Sequence, residues 1–96
     1  MYYVYILESL KDKSLYIGST NDLHRRLSQH NSGQSRHTNQ HRPYKRIAYI
    51  ALPTKEDAER YEQYLKSGYG RKTINKMLQT YFAQIAANVE RHSTKQ

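Results

Sequence analysis

Leu15-Tyr16-Ile17-Gly18-Ser19-Thr20-Asn21-Asp22-Leu23-His24-Arg25-Arg26-Leu27-Ser28-Gln29-His30 is the stretch on which the reading of this chain turns. It opens as a short apolar strand and closes as a helix. Gly18 lets the backbone turn sharply or approach a ligand closely between the two. Thr20 or Asn21 is placed to cap the helix, with Asp22 favourable in its first turn. Leu23 and Leu27 form the buried stripe. Arg26 and His30 lie four residues apart, so they share an adjoining stripe that flanks the core and still reaches a groove. A phenol (Tyr16), a guanidinium and an imidazole gathered in a basic protein make a candidate phosphodiester site.

Working outward, Tyr2 to Glu8 is β-branched, aromatic and aliphatic and reads as a strand. Tyr3, Tyr5 and Leu7 share one face of it, and Tyr2, Val4 and Ile6 the other. The polar turn Ser9 to Lys13 joins it to a second strand, Ser14 to Gly18, as a hairpin. After the first helix ends at Asn31-Ser32-Gly33, Gln34 to Pro43 reads as a mobile polar loop with Arg36, His37, His41 and Arg42. Lys45 to Leu52 is a third strand. Thr54-Lys55-Glu56-Asp57 resembles a capping box with Asp in place of Glu and starts a helix to about Ser67. There Ala58, Tyr61 and Leu65 face inward, and Glu62 lies close enough to that side to need a partner. Gly68 to Lys72 reads as a flexible basic joint. A last helix, Thr73 to Arg91, carries Ile74, Met77, Leu78, Tyr81, Phe82, Ile85 and Val89 on an apolar face. The expected fold is α/β (α+β): a small three-stranded antiparallel sheet flanked by about three helices. Residues 1–92 form one domain, and 93–96 a frayed tail.

Composition narrows the function classes. Sixteen Lys+Arg against 8 Asp+Glu leave a formal charge of +8, which favours a polyanionic partner. No helix pairs a broad greasy face with a basic one, and no apolar run approaches membrane-spanning length, so no membrane partner is expected. The chain has no cysteine, which excludes disulfides and thiolate metal sites and fits a reducing, cytoplasmic setting. The start, Met1 to Leu7, lacks the charged region of a signal peptide. The 10 tyrosines compensate for a modest apolar content, since each adds apolar area and a polar tip.

Tyr3-Val4-Tyr5, ten residues, then Tyr16-Ile17-Gly18 resembles the paired signature of the GIY-YIG nuclease superfamily. Arg26 falls ten residues after the second tyrosine and His30 four later, as in that family. Ala58 to Lys66 resembles its glutamate-bearing helix, with Glu62 at the glutamate. Lys66-Ser67-Gly68-Tyr69-Gly70-Arg71 looks like its short single-domain bacterial branch, which is similar to the N-terminal domain of the excision-repair nuclease. Tyr3 stands where the first glycine of the family name would be, and Ser19 where some repair-type members carry a lysine.

The resemblance implies the GIY-YIG endonuclease fold and metal-dependent hydrolysis of phosphodiester bonds in DNA, in repair or processing. The implied site is Tyr5, Tyr16, Arg26, His30 and Glu62. One Mg2+ or Mn2+ would sit on Glu62, weakly held without DNA, because a single carboxylate leaves such an ion most of its waters. Arg26 would grip the scissile phosphate, and one tyrosine would orient or deprotonate water. An unperturbed phenol titrates near 10, so that tyrosine needs help. His30 would relay a proton or hold a phenol. Asn75 would bind phosphate or the Glu62 carboxylate. Arg36, Arg42, Lys45, Arg46, Arg71, Lys72 and Lys76 form the expected DNA-contacting rim. The substrate would be duplex or branched DNA, with a protein partner supplying target choice.

Each residue also has a plainer reading. Tyr5 and Tyr16 alone are cross-strand aromatics, Arg26 a solvated helix charge, and His30 a favourable cation at a helix end. Glu62 alone is a surface ion-pair member, and Asn75 a helix-surface residue. His37 and His41 share a helical spacing but sit in a loop with no third ligand, against zinc. It is the ordered set that favours the nuclease. The alternatives are a non-enzymatic nucleic-acid binder and a nuclease module active only with a partner.

Overall fold

The computed structural model describes residues 1–94. Its elements are β1 (Tyr2–Ser9), β2 (Leu15–Thr20), α1 (Leu23–Asn31), β3 (Tyr44–Leu52), α2 (Lys55–Lys66), α3 (Gly68–Met77) and α4 (Gln79–Thr94). The last two residues of the expected frayed tail lie outside the described residues, as does the side chain of Val89. The chain divides into two compact units, Met1–Gln63 and Tyr64–Gln96.

The first unit is built on an antiparallel sheet of order β2-β1-β3. β1 is central because both of its faces are apolar: Val4, Tyr5, Ile6 and Leu7 are all buried. Its register sets Tyr5 opposite Gly18 and Tyr49, and Leu7 opposite Tyr16. Opposed residues share a face, so Tyr5 and Tyr16 are diagonal neighbours on one face. A bulge between Ile6 and Leu7 on the β3 side shifts that register and puts Arg46 opposite Leu7. Tyr5, Leu7 and Tyr44 form the core of this face, with Tyr16, Leu23 and Leu27 packed against it.

α1 begins one residue later than expected. Thr20 stays in β2, its hydroxyl accepting the Asp22 N–H at 3.1 Å, and Asp22 becomes the cap, its carboxylate accepting the Arg25 N–H at 3.0 Å. The loop after α1 is tied down where a mobile one was expected. It carries a short 3-10 turn at Asn39–His41 and buries Thr38 completely. Asn31 clamps the start of β3, donating to the Tyr44 carbonyl at 3.0 Å and accepting the Tyr44 N–H at 2.7 Å. The Thr54 cap of α2 holds: its hydroxyl oxygen accepts the Asp57 N–H at 3.1 Å.

In the second unit the expected joint and single last helix are replaced. α3 starts at Gly68, because the Ser67 hydroxyl accepts the Gly70 N–H at 3.2 Å and caps it. Gly70 is a site of close approach, not of flexibility: a side chain there would collide with the backbone of Tyr64 and Leu65. The helical run then breaks at Leu78, whose backbone (φ −111°, ψ 26°) ends α3, and α4 follows at once. Among the described residues the α-helices therefore number four, where about three were expected.

Candidate active site

The hairpin and α1 bring Tyr5, Tyr16, Arg26 and His30 together. Tyr5 Oη lies 3.0 Å from His30 Nε2 and accepts the Arg26 Nε–H at 3.3 Å. The Tyr5 ring reaches this position because β2 has no side chain opposite it. A methyl group at Gly18 would run into the Tyr5 hydroxyl and ring. That is the physical reason for a glycine after Tyr16-Ile17. Tyr16 packs against the His30 ring at 4.9 Å between centroids and against Tyr5 at 6.4 Å.

His30 does not face the groove expected of it. It is 0 % exposed, sealed by Tyr5, Tyr16 and Tyr44 from the three strands. Its Nδ1 is 2.7 Å from Thr38 Oγ1. Burial, helped by the Arg26 charge, lowers the His30 pKa from 6.5 to about 4, so the imidazole is neutral at physiological pH. Burial likewise pushes the Tyr5 phenol above its usual value, while the Arg26 hydrogen bond and charge pull it back; Tyr16 and Glu62 add to the rise. Burial works against the Arg26 cation, but its contacts with Tyr5 and Tyr16 outweigh that and hold it charged.

Arg26 is also a wall of a cleft of about 720 Å³ lined by Ser19, Asn21, Gln29, Glu59 and Glu62 among others. The Arg26 Nη1–H donates to Gln29 Oε1 at 2.9 Å. Across the cleft the Ser19 hydroxyl donates to Glu62 Oε1 at 2.6 Å. The position that carries a lysine in some repair-type proteins therefore meets the glutamate through a hydroxyl here. Among the described residues no group of three or more His, Asp or Glu is arranged to hold a metal ion. The cleft's carboxylates are Glu59 and Glu62; the side-chain oxygens of Asn21 and Gln29, also in its lining, accept from Arg25 and Arg26. Of these, the Glu62 carboxylate is the hard oxygen type that a weakly held divalent cation uses.

The part of the expected rim that lies in the first unit does not line this cleft. Arg36, Arg42, Lys45 and Arg46 are exposed outside it; its cations besides Arg26 are Arg25 and Lys55. Lys45 Nζ is 3.8 Å from the buried Glu8 carboxylate, and Arg46 lies over the Tyr49 ring at 5.5 Å. Arg71, Lys72, Asn75 and Lys76 stand exposed on α3 in the second unit. Sequence reasoning missed Ser19, Gln29, Asn31 and Thr38 as partners of functional residues. Only Gln29 carried a local signal, its spacing of three from Arg26 on one helix.

Motif spacing and three-dimensional placement thus agree, and residues 1–77 match the GIY-YIG catalytic domain: the chain belongs to this family of nuclease-type domains. Among relatives, it is 44% identical over 66 residues to UPF0213 protein BH0048 of Halalkalibacterium halodurans, covering 68% of this chain and 69% of that one. It is 40% identical over 72 residues to UPF0213 protein YsiG of Lactococcus lactis, covering 74% and 68%. The solution NMR structure of BH0048 matches with a TM-score of 0.49 and 38% identity, over 80% of this chain and 85% of that one. Among the described residues no helix is long and apolar enough to cross a membrane.

Proposed function

We propose that this chain is a metal-dependent DNA endonuclease that hydrolyses phosphodiester bonds. One observation carries the reading: Arg26 joins the buried Tyr5 hydroxyl to a polar cleft that also holds Glu62. Hydrolysis needs a base for water, positive charge at the phosphate and a stabilised leaving oxygen. The Tyr5 oxygen, once ionised, takes the proton of the attacking water, and the resting phenol makes the rate rise with pH. Arg26 binds the scissile phosphate and stays charged as negative charge builds there. Glu62, steadied by Ser19, would hold one Mg2+ or Mn2+, which when bound neutralises phosphate charge and activates water. Tyr16 packs beside Tyr5 and Arg26 and orients both.

The substrate class is DNA, duplex or branched, in repair or processing. The net charge of +8 supports a polyanion. A protein partner supplies target choice, and a cytoplasmic setting suits a chain without cysteine.

The test is cleavage of labelled linear duplex, branched and single-stranded DNA with magnesium or manganese, comparing wild type with Arg26→Ala and Glu62→Ala. The expected outcome is that the wild type cuts and both variants bind without cutting. Binding by all three with no cutting, even with cell extract added, would make the chain a nucleic-acid binder. Cutting by the wild type only in extract would make it a partner-dependent module.

A further inference from the structure

The cations that line the cleft are Arg25, Arg26 and Lys55, and they are not equivalent. Arg26 belongs to the site described above. Lys55 Nζ lies 3.9 Å from the Glu59 carboxylate on the same helix, so its charge is answered there. Arg25 is exposed, and among the described residues its guanidinium is in no ion pair. The carboxylate nearest in sequence, Asp22, accepts the Arg25 backbone N–H at 3.0 Å and caps α1.

Both arginines are braced by neutral amides. The Arg25 Nη2–H donates to Asn21 Oδ1 at 3.0 Å, and the Arg26 Nη1–H donates to Gln29 Oε1 at 2.9 Å. A guanidinium only donates, so each amide must turn its carbonyl oxygen to its arginine. The NH2 end of each amide then has no hydrogen-bond partner among the described residues, and both residues line the cleft. Each arginine therefore keeps its full charge and gains a neutral donor beside it, which is the chemistry of an anion site.

Successive residues on a helix point about 100° apart. The braces draw these two further apart: Asn21 lies before the start of α1, and Gln29 almost a turn beyond Arg26. Arg26 also gives its Nε–H to Tyr5, which leaves it one fork for one phosphate. Arg25 gives a single N–H to Asn21 and has the rest of its five for another.

We propose that Arg25, braced by Asn21, forms a second phosphate site in the cleft, which takes the phosphodiester adjoining the one on Arg26 in the same strand. A nucleic-acid strand is the ligand that presents such anions in succession. That the phosphate on Arg26 is the one cut rests on the nuclease reading; the second contact does not.

Binding of duplex DNA without metal, measured across salt concentrations, tests the contact without any cutting. Each phosphate contact contributes about 0.9 to the slope of log K against log salt, so Arg25→Gln should reduce the slope by about 1 and Arg25→Lys should keep it. Arg60→Gln removes the same charge from α2 outside the cleft and should leave the slope as it is. A slope unchanged by Arg25→Gln, or reduced equally by Arg60→Gln, overturns the proposal. A neutral methylphosphonate at each phosphate flanking the mapped cut tests the place. At one flank it should slow wild-type cutting about 10-fold or more, the loss of one charge-assisted contact, and add nothing in Arg25→Gln. No slowing, or equal slowing of both proteins, overturns the proposal. A wild type that never cuts would sink the nuclease reading, and the salt slope would still decide the contact.

Discussion

The site has two halves that meet at Arg26, and they are built on opposite principles. Tyr5, His30, Thr38 and Tyr44 are each 5 % exposed or less, and His30 is hydrogen-bonded to both Tyr5 and Thr38. Ser19, Glu62 and Gln29 are half-buried around an open cleft. The interior half is dry, so an error in its packing is felt as lost stability. The open half leaves its charged groups within reach of solvent, so changes there act on what enters the cleft. Orientation is set in the core and charge is met at the surface, with one guanidinium serving both.

The sharpest way to break this contrast is Glu62→Gln. It should lower cleavage about 10³-fold, equivalent to about 4 kcal/mol, while shifting the unfolding free energy by less than about 0.5 kcal/mol. Paired kinetics and urea titration check it, and a large stability loss would place Glu62 in the interior half.

Acid provides the next test. The unfolded His30 protonates near 6.5 but the folded one only near 4, so protons favour the unfolded chain between those values. Its contribution is intact above pH 6.5 and is lost as pH falls to about 4, amounting to about 3 kcal/mol. Urea unfolding across that window should show a steep pH dependence that is flatter in His30→Gln.

Gly18→Ala should cost about 1–3 kcal/mol by forcing a methyl group against the Tyr5 ring. Thermal unfolding with near-ultraviolet tyrosine signals would register both the loss and the displaced ring. Asn31→Ala, which leaves the Tyr44 N–H without its clamp, should cost about 1–2 kcal/mol and leave DNA affinity unchanged. Hydrogen exchange at Tyr44 reads it directly. If Asn31→Ala abolished DNA binding, the division between the two halves would be wrong.

The sheet was legible because β1 and β2 alternate cleanly and their hairpin is local. The family spacing brought Tyr5, Tyr16, Arg26 and Glu62 to notice, and the fold places the other three on Arg26's two sides. The misses share one cause. Thr38 reaches His30 from 8 residues away, Asn31 reaches Tyr44 from 13, and Ser19 reaches Glu62 from 43. Such pairs leave no periodic trace. The burial of His30 was missed because helical spacing puts it beside Arg26 but does not show that three tyrosines from three strands close over it. The start of α3 was missed because Gly68 and Gly70 read as a joint, whereas Ser67 caps a helix there and Gly70 allows close packing.

The central claim is that the Tyr5 oxygen is the reactive group of the interior half. Tyr5→Phe removes that atom and keeps the ring. Single-turnover cleavage of labelled DNA with magnesium should find the variant folded and binding DNA as the wild type does, with its cutting rate down by about 100-fold or more. A Tyr5→Phe protein that cuts at the wild-type rate would contradict the account and pass the base role to Tyr16.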